Sequence, residues 1–177
     1  MTIIPSAEVI FGGVSQAGYP GAFPPKVEEI IRSLIGNSHS IIHFFSGSSR
    51  IGDVRIDLGH QNATHRGNVF DFLKQKDPIL RHQWEWLIAD PDYCEEQERR
   101  LAREKGFMVG DRFADWRDER LIEDFAKGHV QNIIWLDRRM PHFKGFEFKK
   151  IWLVWQGGWR NIRVLTWQSR AGQTRLV

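Results

Sequence analysis

Trp84-Glu85-Trp86-Leu87-Ile88-Ala89-Asp90-Pro91-Asp92-Tyr93 is the stretch whose reading decides the fold of this chain. The first six residues are apolar except for Glu85 and have strand length. Asp90-Pro91 then ends the run, because proline has no amide hydrogen to give a sheet ladder and Asp-Pro commonly begins a turn. A run this apolar is expected inside a parallel sheet with both faces covered. At its end stand a carboxylate, a carbonyl and an aromatic ring. An exocyclic amino group of a nucleic-acid base offers two hydrogens, which a side-chain oxygen and the Pro91 carbonyl can accept while Tyr93 stacks on the ring.

Upstream, Pro24-Pro25 opens a segment in which Val27, Ile30, Ile31, Leu34 and Ile35 recur at helical spacing, and Gly36 closes it. Proline in the first turn and glycine past the last predict an amphipathic helix. Ser40 to Phe45 reads as a buried strand followed by the tight turn Ser46-Gly47-Ser48-Ser49. Val54, Ile56 and Leu58 alternate with Arg55 and Asp57, giving a second strand that ends on or near an acid, and a third is expected around Ala63 to Val69. Downstream of the quoted run, Glu95 to Lys105 reads as a charged surface helix and Leu121, Ile122, Phe125 and Ala126 mark an amphipathic one. Gln131 to Asp137 follows as a strand, and Phe148 to Trp155 with Ile162 to Trp167 predict a closing antiparallel hairpin. Strands alternating with helices give an α/β fold: a mostly parallel sheet, helices on both faces, and a C-terminal antiparallel hairpin at one edge. Only Ser46 to Asp53 separates the first two strands, fewer than the dozen or so residues a crossover helix requires.

Composition sets the limits. The 177 residues, 41% hydrophobic and 27% charged, predict one globular domain spanning 1–177. No segment approaches the roughly 18 to 20 apolar residues of a membrane helix, and the N-terminus lacks a basic start and long apolar run, so the expected location is the cytoplasm, without membrane association. Cys94 is the sole cysteine, which excludes an intramolecular disulfide and a cysteine-rich zinc site. Of the seven histidines only His39 and His43 are four apart, and they fall at a segment read as a strand rather than a helix, so no metal is expected. A net charge of +3 permits nucleic-acid binding, and the basic residues gather in the C-terminal third. There Trp159 and Arg160, in the hairpin turn, are candidates for contact with nucleic acid.

Asp90-Pro91-Asp92-Tyr93 resembles the Asp-Pro-Pro-Tyr motif of DNA amino-methyltransferases, with Asp92 where the second proline usually sits. Phe45-Ser46-Gly47-Ser48 resembles the Phe-x-Gly-x-Gly loop that holds the methionine part of S-adenosylmethionine in that family, with Ser48 at the last glycine and His43 at the usual acidic position. Phe23-Pro24 is similar to the Phe-Pro that packs over the same moiety. Asp57 stands where an acid would bind the ribose hydroxyls, although a solvated strand-end aspartate reads the same locally. Gly67 to Phe72 resembles the loop that contacts the cofactor's adenine, through Asn68 and Val69, with Asp71 as the alternative to Asn68 or as a cap of the following turn. These segments run in the family's order from Phe23 to Trp167, so the chain resembles the Rossmann-like methyltransferase superfamily.

The resemblance implies S-adenosylmethionine as cofactor and a base amino group as target, with DNA adenine N6 favoured over an RNA amino group. Asp90, Pro91 and Tyr93 would carry the chemistry. The small size and short first crossover suit a phage or prophage enzyme. The lack of room for a recognition domain implies low intrinsic sequence specificity or a partner that supplies it, a homodimer being the other assembly expected. Ser48, His43 and Asp92 keep a second expectation open: a non-catalytic Rossmann-like domain that retains the cofactor or nucleic-acid pocket.

Overall fold

The computed structural model describes residues 4–12, 23–91, 104, 116–155 and 162–172. Tyr93, Asp92, Cys94, Trp159 and Arg160 lie outside these residues, as does, apart from Glu104, the helix expected at 95–105.

Eight strands form one sheet: β1 (Ala7–Phe11), β2 (Ile41–Phe44), β3 (Val54–Asp57), β4 (His65–Arg66), β5 (Trp84–Ala89), β6 (Val130–Asp137), β7 (Phe146–Trp155) and β8 (Ile162–Arg170). Their order is β1-β7-β8-β6-β5-β2-β3-β4. β8 pairs antiparallel with both β6 and β7, and every other pairing is parallel. The chain therefore builds outward from β2 to β3 and β4, then returns to lay β5 and β6 on the other side of β2. The reversal falls between β2 and β5.

Helix α1 (Pro25–Ile35) covers one face, and α2 (Val69–Gln75), a 3-10 turn (Pro78–Arg81) and α3 (Trp116–His129) cover the other. Strand alternation sorts the core between them. Ile41, Trp86, Ile88, Ile134, Leu136 and Leu165 pack with Val27, Ile31 and Ile35 of α1. Ile42, Phe44, Leu87, Ala89, Ile133 and Trp135 pack with Val69, Leu73, Leu80, Ile122 and Phe125 opposite. A fully buried Val, Ile, Leu or Phe side chain contributes about 1.5–3 kcal/mol. The four residues of β2 are buried on both sides, as a central parallel strand must be.

Three sequence expectations change. The hairpin is present but is not the sheet's edge, because β1 adds in parallel outside β7, from Ala7 opposite Ile151 to Phe11 opposite Trp155. The strand expected at 63–69 shrinks to His65–Arg66, and Gly67 to Phe72 is not a loop but leads into α2. Between β2 and β3 no helix forms. The 45–53 connection runs back along the α1 face, where Ile51, 3% exposed, fills the core in place of a crossover helix. Such a route buries a backbone carbonyl, which needs a donor. His43 supplies it: Nδ1 lies 3.0 Å from the Ile51 oxygen. Asp53 completes the return, its carboxylate accepting from the Ile41 amide at 2.9 Å and its own amide donating to the Ile41 carbonyl at 2.9 Å.

Candidate functional site

In the register of β2 and β5, Phe44 faces Ala89. Phe45 and Asp90 are thus the first residues beyond two neighbouring strands, at the point where the strand order reverses. Open α/β sheets bind ligands at such a crevice, past the carboxyl ends of the strands.

The turn after β2 is built on unusual backbone angles. Phe45 has φ 58° and Gly47 φ 50°. For glycine this is easy; for a bulky side chain it is strained and persists only where surrounding contacts hold it. Part of the hold is the Phe45 ring, which packs 5.7 Å from Phe70 of α2. Strict alternation would have sent this ring to the α1 face; the left-handed turn carries it to the α2 face instead. The rest is hydrogen bonding: the Ser46 amide donates to Ile56 O at 3.2 Å and the Gly47 amide to Asp57 Oδ2 at 2.8 Å. Asp57 Oδ1 accepts from the Gly59 and His60 amides at 3.1 and 3.0 Å. Its carboxylate therefore ties the ends of β2 and β3 together. Ser46 is 1% exposed and its hydroxyl has no hydrogen-bond partner, while Ser48 lends its carbonyl to Asn62 Nδ2 at 2.8 Å.

At the end of β5, Asp90 and Pro91 are buried, Asp90 being 6% exposed. Asp90 lies on the α1 face, since Ile88 does. Arg163 of β8 shares that face with Leu165 and reaches across β6, bringing Nη1 within 3.7 Å of Asp90 Oδ2. Burial pulls the guanidinium below its usual pKa range, and the Asp90 charge offsets part of that. The sequence carried a signal for Arg163: in Ile162-Arg163-Val164-Leu165 it has the same parity as the inward Leu165. Asp137, at the end of β6, is 3% exposed and shares the opposite face with Trp135. Burial lifts its carboxyl above the usual aspartate range, against the Arg138 amide and the Arg139 guanidinium.

Phe23 leads into α1 and stacks on His43, with ring centroids 5.3 Å apart and planes 8° apart. Burial pushes His43 down to about 4, so the ring is neutral, and its position at Nδ1 makes that nitrogen the donor to Ile51. Nε2 is buried without a hydrogen-bond partner. Pro24 precedes the first turn of α1. Asn68 is the N-cap of α2, its side chain accepting from the Phe70 amide at 2.9 Å, and Val69 is 2% exposed in the core. Their geometry is that of a helix start, with the Val69 side chain turned inward.

The structure thus gathers Phe45 to Ser48, Asp57, Asp90 and Pro91 at one end of the sheet, with Phe23 joined through His43. Asn68 and Val69 follow β4 on the outer side. Among the described residues no helix is long and apolar enough to cross a membrane, and no group of three or more His, Cys, Asp or Glu side chains could hold a metal ion. No protein-family model matches the chain, and no curated protein matches it either.

Proposed function

We propose that this protein is a Rossmann-like, S-adenosylmethionine-dependent methyltransferase acting on an exocyclic amino group of a nucleic-acid base, with DNA adenine N6 the preferred target. The observation that carries the reading is the pairing of Phe44 with Ala89, which sets the Phe45-Ser46-Gly47-Ser48 turn beside Asp90-Pro91 at the strand-order reversal. Counted from β2, the sheet runs 3-2-1-4-5, the order of doubly wound nucleotide-binding sheets, with the β7–β8 hairpin in place of a sixth parallel strand.

The residues present suit the cofactor. Ser46 offers a buried hydroxyl without a partner, and the Gly47 turn brings backbone close to the crevice. A carboxylate has about four lone-pair sites. Three backbone amides use those of Asp57, so it would accept from one ribose hydroxyl rather than from both. When bound, S-adenosylmethionine supplies a sulfonium methyl whose carbon–sulfur bond breaks as the amino nitrogen takes the carbon, the bond pair passing to sulfur. The protein's part is alignment and electron density at nitrogen. Asp90 would accept one amino hydrogen, the Pro91 carbonyl the other, and Tyr93 would stack on the base. The nitrogen's surplus proton then has Asp90 as its acceptor.

Titration calorimetry with S-adenosylmethionine tests the cofactor half. Saturable binding is expected; no heat at millimolar cofactor would remove the enzyme reading. A second reading, a non-catalytic domain with the same sheet, is favoured by one observation: the Asp57 carboxylate, at the ribose position, already accepts from three backbone amides. Binding of cofactor without transfer to DNA or RNA would select it.

A further inference from the structure

We infer that Arg163 is a positioning residue for Asp90, reaching across β6 to hold its carboxylate ionised and aimed at the crevice where the amino group would sit. The inference rests on the amino-methyltransferase reading and names a residue no part of the motif contains. A carboxyl group buried at the end of β5 is driven toward its neutral form by the loss of water, and a neutral acid would present a hydroxyl donor to an amino group that itself needs acceptors. An opposite charge within about 4 Å reverses that tendency.

Among the described residues the geometry points to Arg163 for this role. From β6 the residue level with Asp90 on the same face is Leu136, which carries no charge. From β2 comes His43, neutral and already bonded to Ile51. Helix α1 pairs its exposed charges among themselves, Lys26 with Glu29 and Arg32 with Glu28. Asp137 lies on the opposite face, with Arg139 at 3.9 Å. Arg163 faces Asp90 at 3.7 Å with its side chain only 16% exposed. A lysine at this position would keep the charge but not the planar guanidinium.

The test follows the Asp90 carboxyl carbon by NMR in the full-length protein labelled at aspartate, the resonance being assigned by its loss in Asp90→Asn. In wild type the carboxylate is expected to stay ionised to the usual aspartate range or below. In Arg163→Met the midpoint should rise by about one unit or more, and Arg163→Lys should restore most of it. A wild-type midpoint above the usual range, or no rise in Arg163→Met, overturns the inference, and the wild-type arm decides even where Arg163→Met does not fold. Where methyl transfer is measured in parallel, Arg163→Met should lose about tenfold or more at low pH, recover as pH rises, and bind cofactor as wild type does. A purely structural Arg163 would lower transfer equally at all pH, and that outcome contradicts the proposal. Absence of transfer by wild type, with the carboxyl titrations as expected, would instead count against the methyltransferase reading.

Discussion

Arg163 Nη1 and Asp90 Oδ2 stand 3.7 Å apart on the α1 face, joining β8 to β5 over the strand between them. With side chains 16% and 3% exposed, both charges are largely withdrawn from bulk water. Asp90→Asn therefore takes the carboxylate charge away from a largely buried guanidinium. Removing one partner of a buried pair costs about 3–5 kcal/mol, whereas replacing both by apolar residues is often neutral. Chemical denaturation should show Asp90→Asn destabilised by roughly that amount and Asp90→Leu combined with Arg163→Met much closer to wild type. Equal losses in both would mean that the pair is not coupled.

The Asp57 carboxylate collects three amides, from Gly47, Gly59 and His60. Asparagine has one oxygen to offer, so Asp57→Asn should release the turn after β2 and cost about 1–3 kcal/mol. If that turn holds the cofactor, calorimetry should show weaker S-adenosylmethionine binding in the same variant. Unchanged stability would deny the bracket between β2 and β3.

Much of this arrangement was legible from residue patterns, and the limits have physical causes. β2, β5, β6 and α1 carry strong periodicity: Val27, Ile31 and Ile35 lie on one helix face, and Trp84 to Ala89 is a nearly unbroken apolar run. β1 escaped because it buries Ile10 alone and leaves Val9 and Phe11 at 72% and 58% exposure, so no alternation announces it. Helix α2 escaped because it has seven residues, too few for a periodic signal, and its cap Asn68 resembles a loop residue in a Gly-Asn setting. The role of His43 could not be foreseen, since it answers a carbonyl buried only because the 45–53 connection forms no helix. Arg163 depends on reach across a strand, which spacing along the chain does not record.

Phe45 holds a left-handed backbone that costs a bulky residue about 1–2 kcal/mol relative to glycine. Both Phe45→Gly and Phe45→Ala lose the ring contact with Phe70, but only glycine relieves the backbone. Phe45→Gly should thus be the more stable of the two by about 1 kcal/mol in denaturant titrations. At Phe44, inside β2, the order should reverse. Alanine ahead of glycine at position 45 would contradict the strained turn.

His43 binds its proton less readily folded than unfolded, its pKa falling from 6.5 to about 4 through burial. Above pH 6.5 neither state is protonated and its contribution to stability is whole. As pH falls toward 4 the unfolded chain takes up the proton first, so stability drops across that window, by about 3 kcal/mol in total. Thermal denaturation from pH 7 to 4 should show this slope in wild type and a shallower one in His43→Phe. Parallel slopes would mean that the ring is not buried neutral.

The most direct measurement of the central claim is base analysis after incubation of wild-type protein with S-adenosylmethionine and unmodified DNA or RNA. The methyl should appear on an exocyclic amino nitrogen, as N6-methyladenine in DNA above all, and should vanish in the Asp90→Leu, Arg163→Met double variant while that variant still binds cofactor. Cofactor bound but no methyl on any base, or transfer undiminished without Asp90, would contradict the account.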